Sequence, residues 1–309
     1  MRINFVYLKH FLIIIFCFHF TAQTMEPILD LDPSTYIVDI DVSTRTTSGG
    51  LKFMQDFIYV GENQFHVLDG HGSDRVAKFL AHKEIGLASL IDYNIKQGMS
   101  VEKAIKHAYQ IADGALKNSK NGYDKEGSTA ISAVFDEDLL YIANLGNSGA
   151  ILVTDRHVKN LITKHRPENK AEYLRIKALG GEITKKRVEG KLRITRSFGD
   201  FRYKEPVSRN LIISEPEILR FEIKNNYRYL ILASDGLLDS VPLGELKRIL
   251  TKLQKKDAKA EKVCKKLVRE AVRRFRIKAA HKDNVAVIVI KFFFRENNYE
   301  KRPKECALI

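Results

Sequence analysis

Cysteine is scarce. The three in 309 residues are Cys17, Cys264 and Cys306, which supply neither a disulfide framework nor a cysteine zinc site. Histidine is scarce as well, at nine residues, so a bound metal would have to be held mainly by oxygen. No internal repeat or low-complexity tract interrupts the chain, and a single domain over 37–292 is the simplest parse. The apolar block at 11–20, FLIIIFCFHF, is short for a membrane span.

Positive charge is what the chain holds in excess, with a net +14 and an isoelectric point near 9.5. The excess is local: from Lys247 to Lys282, fifteen Lys or Arg stand against Asp257, Glu261 and Glu270. Nucleic acid or an anionic membrane would suit such a segment. Its apolar residues, among them Leu246, Ile249, Leu250, Leu253, Val263, Leu267 and Phe275, recur at helical spacing, so it reads instead as a solvated helix face. No specific nucleic-acid partner is expected.

The two ends carry targeting signals that disagree. MRINFVYLKH, FLIIIFCFHF and TAQT give a basic start, an apolar core and small polar residues, the pattern of a signal peptide or N-terminal anchor at 1–24. Arg2 and Lys9 before the block, with Glu26, Asp30 and Asp32 after it, orient the rest away from the cytoplasm. The expectation is the secretory pathway or secretion, with a cytoplasmic protein as the alternative if translation starts at Met25. Within the basic tail 293–309, Cys306-Ala-Leu-Ile309 has the form of a prenylation site behind Lys301, Arg302 and Lys304. Prenylation is cytosolic, so the two signals are hard to reconcile; either one is a route to a membrane.

Runs of β-type residues occupy 36–43, 56–62, 64–70, 129–136, 139–146, 149–155, 229–236 and 284–292. Turns as short as FDED and GNS make several of them antiparallel neighbours. Helical periodicity fits 73–96, 100–118 with Ser100 as N-cap, 168–179 and 244–278. Strands joined by tight turns with helices grouped between them predict an α+β sandwich rather than a parallel sheet.

Four carboxylates sit at the termini of apolar runs. Asp69 ends FHVLD, Asp235 follows YLILAS, Asp56 opens DFIYV and Asp283 opens DNVAVIVI. Gathered at one sheet edge they would repel and lose hydration, so a cation has to neutralise them. Oxygen donors of this kind select Mg2+ or Mn2+. A pair of such ions about 3.5 to 4 Å apart acidifies water and clamps a phosphoryl group, which points to phosphoester hydrolysis. Taken singly, each Asp-Gly is equally a turn dipeptide.

In order along the chain, FMQDFIYV (53–60), FHVLDGHGS (65–73), EGSTAISAV (126–134), IANLGNSGAIL (142–152), RVEGKLRITRSFGDFRYK (187–204), LILASDGLLDSV (230–241) and KDNVAVIVI (282–290) resemble the metal-dependent type 2C (PPM-type) Ser/Thr protein phosphatases. The resemblance implies two packed antiparallel β-sheets flanked by helices, an α-β-β-α sandwich, with two Mg2+ or Mn2+ ions at one end. It implies Asp69, the carbonyl of Gly70, Asp235 and Asp283 as metal ligands, Asp56 orienting water and His71 as general acid. Phosphorylated proteins would be the substrates of a monomer.

Several positions depart from that pattern. Gln55 stands where many relatives carry a glutamate for the second metal; its amide oxygen coordinates without charge. Asn147 and Gly149 replace the aspartate and arginine of the usual Gly-Asp-Ser-Arg, Lys164 replaces an acid, and Leu51 occupies the place of a phosphate-binding arginine. Lys52 is adjacent but in an extended segment would face the other way. The alternative these departures raise is a weak or inactive relative that acts as a binding protein.

Overall fold

The computed structural model describes residues 2–4, 37–119, 122–204, 209–277 and 282–294. The strands are β1 (Arg2–Asn4), β2 (Ile37–Thr47), β3 (Asp56–Val60), β4 (Gln64–His71), β5 (Gly127–Ser128), β6 (Ala130–Asp136), β7 (Leu139–Leu145), β8 (Gly149–Thr154), β9 (Val158–Asn160), β10 (Ile183–Thr184), β11 (Arg187–Val188), β12 (Phe198–Gly199), β13 (Glu217–Glu222), β14 (Tyr227–Ala233) and β15 (Val285–Phe294). The helices are α1 (Arg75–Leu80), α2 (Leu87–Lys96), α3 (Val101–Lys117), α4 (Lys170–Ala178), α5 (Asp235–Leu238), α6 (Leu243–Gln254) and α7 (Ala260–Ile277).

Two antiparallel sheets form the centre. One runs β1-β2-β15-β14-β8-β9, the other β12-β5-β4-β6-β7-β13 with β3 on β4. Both faces of each sheet are covered, which is why the strands read as continuous apolar runs instead of alternating with polar residues. Period-two alternation still sorts the side chains. On β14 and β15, Leu230, Leu232, Ile288 and Ile290 face the other sheet, where they meet Phe65, Val67 and Ile131. Tyr229, Ile231, Val287 and Val289 face outward onto α6 and α7. On the far side Leu68, Ala130 and Val134 pack beneath α1, α2 and α3. Each fully buried Val, Leu or Ile is worth about 1.5–3 kcal/mol, so the three layers of contact hold the sandwich. The expected α-β-β-α architecture is what the chain adopts.

Three local expectations need correction. The helix read over 73–96 is two, α1 and α2, interrupted at 81–86, where a Cβ on Gly86 would lie 2.3 Å from the His82 carbonyl. The periodicity ran across the break because Leu80, Leu87 and Ile91 share one cluster. The helix read over 244–278 is likewise two, with Asp257 at φ 45 in the turn between them. Strand β13 has no strand signature in the sequence; among the described residues it pairs with β7 alone, and its residues are exposed or half-buried. Ser100 does precede α3 with extended backbone, but its side chain makes no cap bond. Of the segments assigned to a signal and a basic tail, residue 1, 5–24 and 295–309 lie outside the described residues; Arg2–Asn4 pair with β2 as an edge strand.

One buried ion pair ties a helix to the loop behind the site. Lys204 Nζ donates to both Asp113 carboxylate oxygens at 2.9 and 2.7 Å and to the Ser197 carbonyl at 2.9 Å. The Gly199 amide donates to Asp113 at 2.9 Å. Burial alone lowers the Lys204 pKa, and Asp113 opposes that shift. Removing one partner strands the other charge, so Asp113→Ala is expected to lower stability by about 3 kcal/mol. Urea unfolding measures this, and a loss under about 1 kcal/mol would contradict a clamp of this kind.

Candidate active site

The sandwich brings four strand ends to one place. Asp56 begins β3 and stands opposite Asp69 near the end of β4 in antiparallel register. Side chains so paired have Cβ atoms about 4.5 to 5.5 Å apart. In the other sheet, β14 ends at Ala233 opposite Val287 near the start of β15, placing Asp235 and Asp283 at the same end. Gly236 lets the two strand ends meet: a Cβ there would lie 1.8 Å from the Asn284 carbonyl. Asn284 crosses between the sheets, accepting from the Gln55 amide at 2.6 Å and donating to the Phe53 carbonyl at 3.0 Å.

Every one of these carboxyls is pushed above its ordinary range. Asp56, 4% exposed, rises to about 7, chiefly through loss of solvent and then through the charges of Asp235 and Asp283. Asp69 rises well above the usual value for lack of solvent and from the charges of Asp56, Asp235 and Asp283. Asp235 shifts the same way, first by desolvation and then by Asp239. Asp283 lies at the exposed rim, yet protein crowds its carboxyl, and that crowding followed by the Asp235 charge raises it too. Four carboxyls therefore interact, as the register and strand ends require. All the metal-site candidates read from the sequence except the Gln55 side chain share in this cluster; Gln55 contributes its backbone, whose carbonyl accepts from the Gly70 amide at 3.2 Å.

Cation chemistry fits this donor set. Oxygen is the donor throughout, Asp56 Oδ2 is buried with no hydrogen-bond partner, and Gly70 leaves room that a Cβ would fill at 2.6 Å from the Gln55 carbonyl. As the side chains stand, no three His, Cys, Asp or Glu among the described residues are spaced to grip an ion.

His71 is turned toward a partner that the sequence reading did not assign. Its Nε2 lies 2.8 Å from Asp200 Oδ2, which also accepts from Ser197 Oγ at 2.6 Å. Asp200 is fully buried and sits at φ 55, before the 3₁₀ turn Phe201–Tyr203. The contact exists because β4, β5 and β12 lie side by side, with His71 opposite Gly127 and Gly127 opposite Gly199. A Cβ on Gly127 would meet Asp200 Oδ2 at 2.5 Å and His71 Cε1 at 2.7 Å. Gly72, at φ 77, turns the chain directly after His71. The only sequence sign of Asp200 is its Gly-Asp pairing in RSFGDF.

The departures also find positions. Asn147, 5% exposed, donates to Asp235 Oδ2 at 2.6 Å, so the amide supplies a donor where an aspartate would add a fifth charge. Lys164 and Arg166 both pair with Asp239, and Arg166 reaches Asp235 at 3.4 Å. Leu51 is exposed in a turn built on Gly49 and Gly50, both at positive φ, not in an extended segment as expected; Lys52 folds over the Phe53 ring at 5.2 Å. Cations come from elsewhere. A pocket of about 860 Å3 beside the cluster is lined by Asp235 and Asp283 together with Arg166, Arg187, Arg193, Arg274 and Lys282. Asp56, Asp69 and His71 do not line it.

Comparison with known proteins bears on this arrangement. The family model described as "Protein phosphatase 2C" matches residues 44–279. A mouse protein, "Probable protein phosphatase 1N", is 32% identical over 66% of this chain, which spans 52% of that protein's length. A rice protein, "Probable protein phosphatase 2C 59", is 31% identical over 77% of this chain and 69% of its own. Among solved structures, a serine-threonine phosphatase 2C from Toxoplasma gondii superposes with a TM-score of 0.67 at 18% identity, covering 84% of this chain and 98% of that one. At that identity the likeness speaks for the fold alone.

The raised carboxyls make a stability prediction. The native cluster binds protons more readily than the unfolded chain, so its contribution is complete below the ordinary 3.8 and is lost as pH climbs toward about 7. In EDTA, Asp69→Asn is therefore expected to unfold at a higher temperature than the parent at pH 8, with the gap closing toward pH 5. Saturating Mn2+ at about a hundred times its Kd should reverse the order, adding about 2.7 kcal/mol to the parent. Calorimetry at two pH values decides it; a variant no more stable than the parent in EDTA at pH 8 refutes the repulsion.

Proposed function

Since the chain belongs to the protein phosphatase 2C family over residues 44–279, we propose that it is a protein serine/threonine phosphatase acting on phosphoserine and phosphothreonine with Mg2+ or Mn2+ as cofactor. The observation that carries this reading is the meeting of four desolvated, mutually repelling carboxyls from four strand ends beside a histidine oriented by Asp200. Asp69, Asp235 and Asp283, with the Gly70 carbonyl, would hold the ions, and Gln55 offers an uncharged oxygen at the margin. When bound, two such ions acidify water and stabilise charge on the phosphoryl oxygens.

The chain's own groups supply the rest. Asp56 accepts hydrogen bonds from water at the floor of the site and fixes its orientation. His71 donates through Nε2 to the Asp200 carboxylate, which leaves Nδ1 to deliver a proton to the departing seryl or threonyl oxygen. Asp200 and Ser197 are positioning residues: they hold the ring without touching substrate. Phosphate recognition falls to the pocket cations in place of position 51. Arg193 and Lys282 line that pocket and form no ion pair among the described residues, so their charge is available to phosphate. The N-terminal pattern at 1–24 supports a place in the secretory pathway as part of the same proposal.

Purified protein is expected to hydrolyse p-nitrophenyl phosphate and a phosphothreonine peptide in Mn2+, with EDTA or Asp235→Asn abolishing both reactions. Turnover that survives EDTA, or none in saturating Mn2+, would sink the proposal. Lys282→Ala should raise KM for the phosphopeptide about tenfold, the worth of one charge-assisted bond, with a smaller fall in kcat. An unchanged KM would remove Lys282 from phosphate binding.

A further inference from the structure

The excess charge of 247–282 lies on a solvated helix face, as its periodicity suggested, but that face is not flat. Helices α6 and α7 pack as a hairpin whose inner residues, such as Leu246, Leu250, Val263 and Leu267, lie on β14 and β15. On the outer side they leave a groove of about 350 Å3. Ile249 and Leu253 line it, with Lys252 and Lys256 on one wall and Lys262, Lys265, Lys266 and Arg269 on the other. Arg248 also lines it but is held by Glu245 at 2.6 Å.

The six wall cations make no ion pair among the described residues. Of the neighbouring acids, Glu270 pairs with Arg273 and Arg274 and Asp257 with Lys291, and Glu261, four residues before Lys265, does not line the groove. On α7 the spacing from Lys262 to Arg269 is three and four residues, which sets like charges against each other along one face and weakens the helix. An ordinary exposed face mixes signs, as Glu102 and Lys106 do on α3. Folding by itself gives no reason to keep a repulsive, acid-free recess.

We propose that this groove docks an acidic segment of the phosphoprotein substrate, an extended stretch with Asp or Glu on either side of one apolar residue that rests on Ile249 and Leu253. The proposal rests on the phosphatase reading given above. Charge complementarity selects the acid, and the recessed shape selects a peptide, because a flat headgroup layer would touch only the rims. Position gives the docking a purpose. The same helix carries Arg274 and Phe275 into the pocket beside the carboxyl cluster. At about 1.5 Å per residue, the wall residues lie roughly 8 to 18 Å along the axis from Arg274. An extended chain at about 3.3 Å per residue covers that span in roughly three to six residues.

The test uses two readouts on the full-length protein. A fluorescent, unphosphorylated Glu-rich peptide with a central Leu is titrated in EDTA against the parent and against the fourfold variant Lys262→Glu, Lys265→Glu, Lys266→Glu, Arg269→Glu. Binding to the parent is expected to weaken with salt and, in the variant, by at least about tenfold; the fourfold Gln variant repeats the comparison should charge reversal unfold the helix. In turnover, a phosphothreonine peptide carrying the acidic stretch about five residues away should show a lower KM than one without it, in the parent only, while p-nitrophenyl phosphate is hydrolysed equally by both proteins. Equal KM for the two peptides in an active parent overturns the docking site. Failure of both proteins on p-nitrophenyl phosphate overturns the phosphatase reading alone, and the anisotropy titration then decides the groove by itself. Preferential, charge-dependent binding of phosphatidylserine vesicles or duplex DNA over the peptide overturns the peptide as occupant.

Discussion

Repulsion among carboxylates that have lost their water is the constraint on which the rest of this molecule depends. Asp56 and Asp69 face each other across a strand pair, and Asp235 and Asp283 come to the same end from the second sheet. Their raised carboxyls record a native state that is worse for charge than the unfolded chain. The core that outweighs them is large and apolar on every sheet face. Stability built in the layers thus supports a strained cluster of charge at the edge of the sandwich.

A second chain of contacts runs behind the first and is purely structural. Asp113 on α3 anchors Lys204 and the Gly199 amide, the loop so fixed carries Asp200, and Asp200 orients His71. The imidazole is thereby tied to a helix on the far side of the sheet. Ser197 completes the carboxylate's shell at 2.6 Å, and Gly127 leaves the gap through which ring and carboxylate meet. Of the departures in the sequence, Asn147 solvates Asp235 without adding charge, and Arg193, Arg274 and Lys282 line the adjoining pocket although position 51 carries no cation.

Legibility in the sequence followed the range of the interaction. The strands with continuous apolar runs were readable because burial on two faces writes itself into consecutive residues. Strand β13 was not, since an edge strand with exposed residues keeps no such signature. Helices α1 and α2 merged into one because a shared cluster preserves periodicity across a turn, and α6 merged with α7 for the same reason. Asp200 escaped assignment: its role is defined by the distance to a side chain 129 positions away, which no local pattern encodes.

By itself the sequence determined the class of chemistry, through oxygen donors placed at the ends of apolar strands, a shortage of cysteine and the ordered motifs that resemble one phosphatase family. It also determined the layered architecture, because alternation and turn length are local properties of a chain. Only the tertiary structure decided which carboxyls face one another, which nitrogen of His71 is engaged, and that a run of lysines becomes the wall of a groove. These are relations between residues far apart along the chain, set by strand register and helix packing, and they exist only once the sheets have closed.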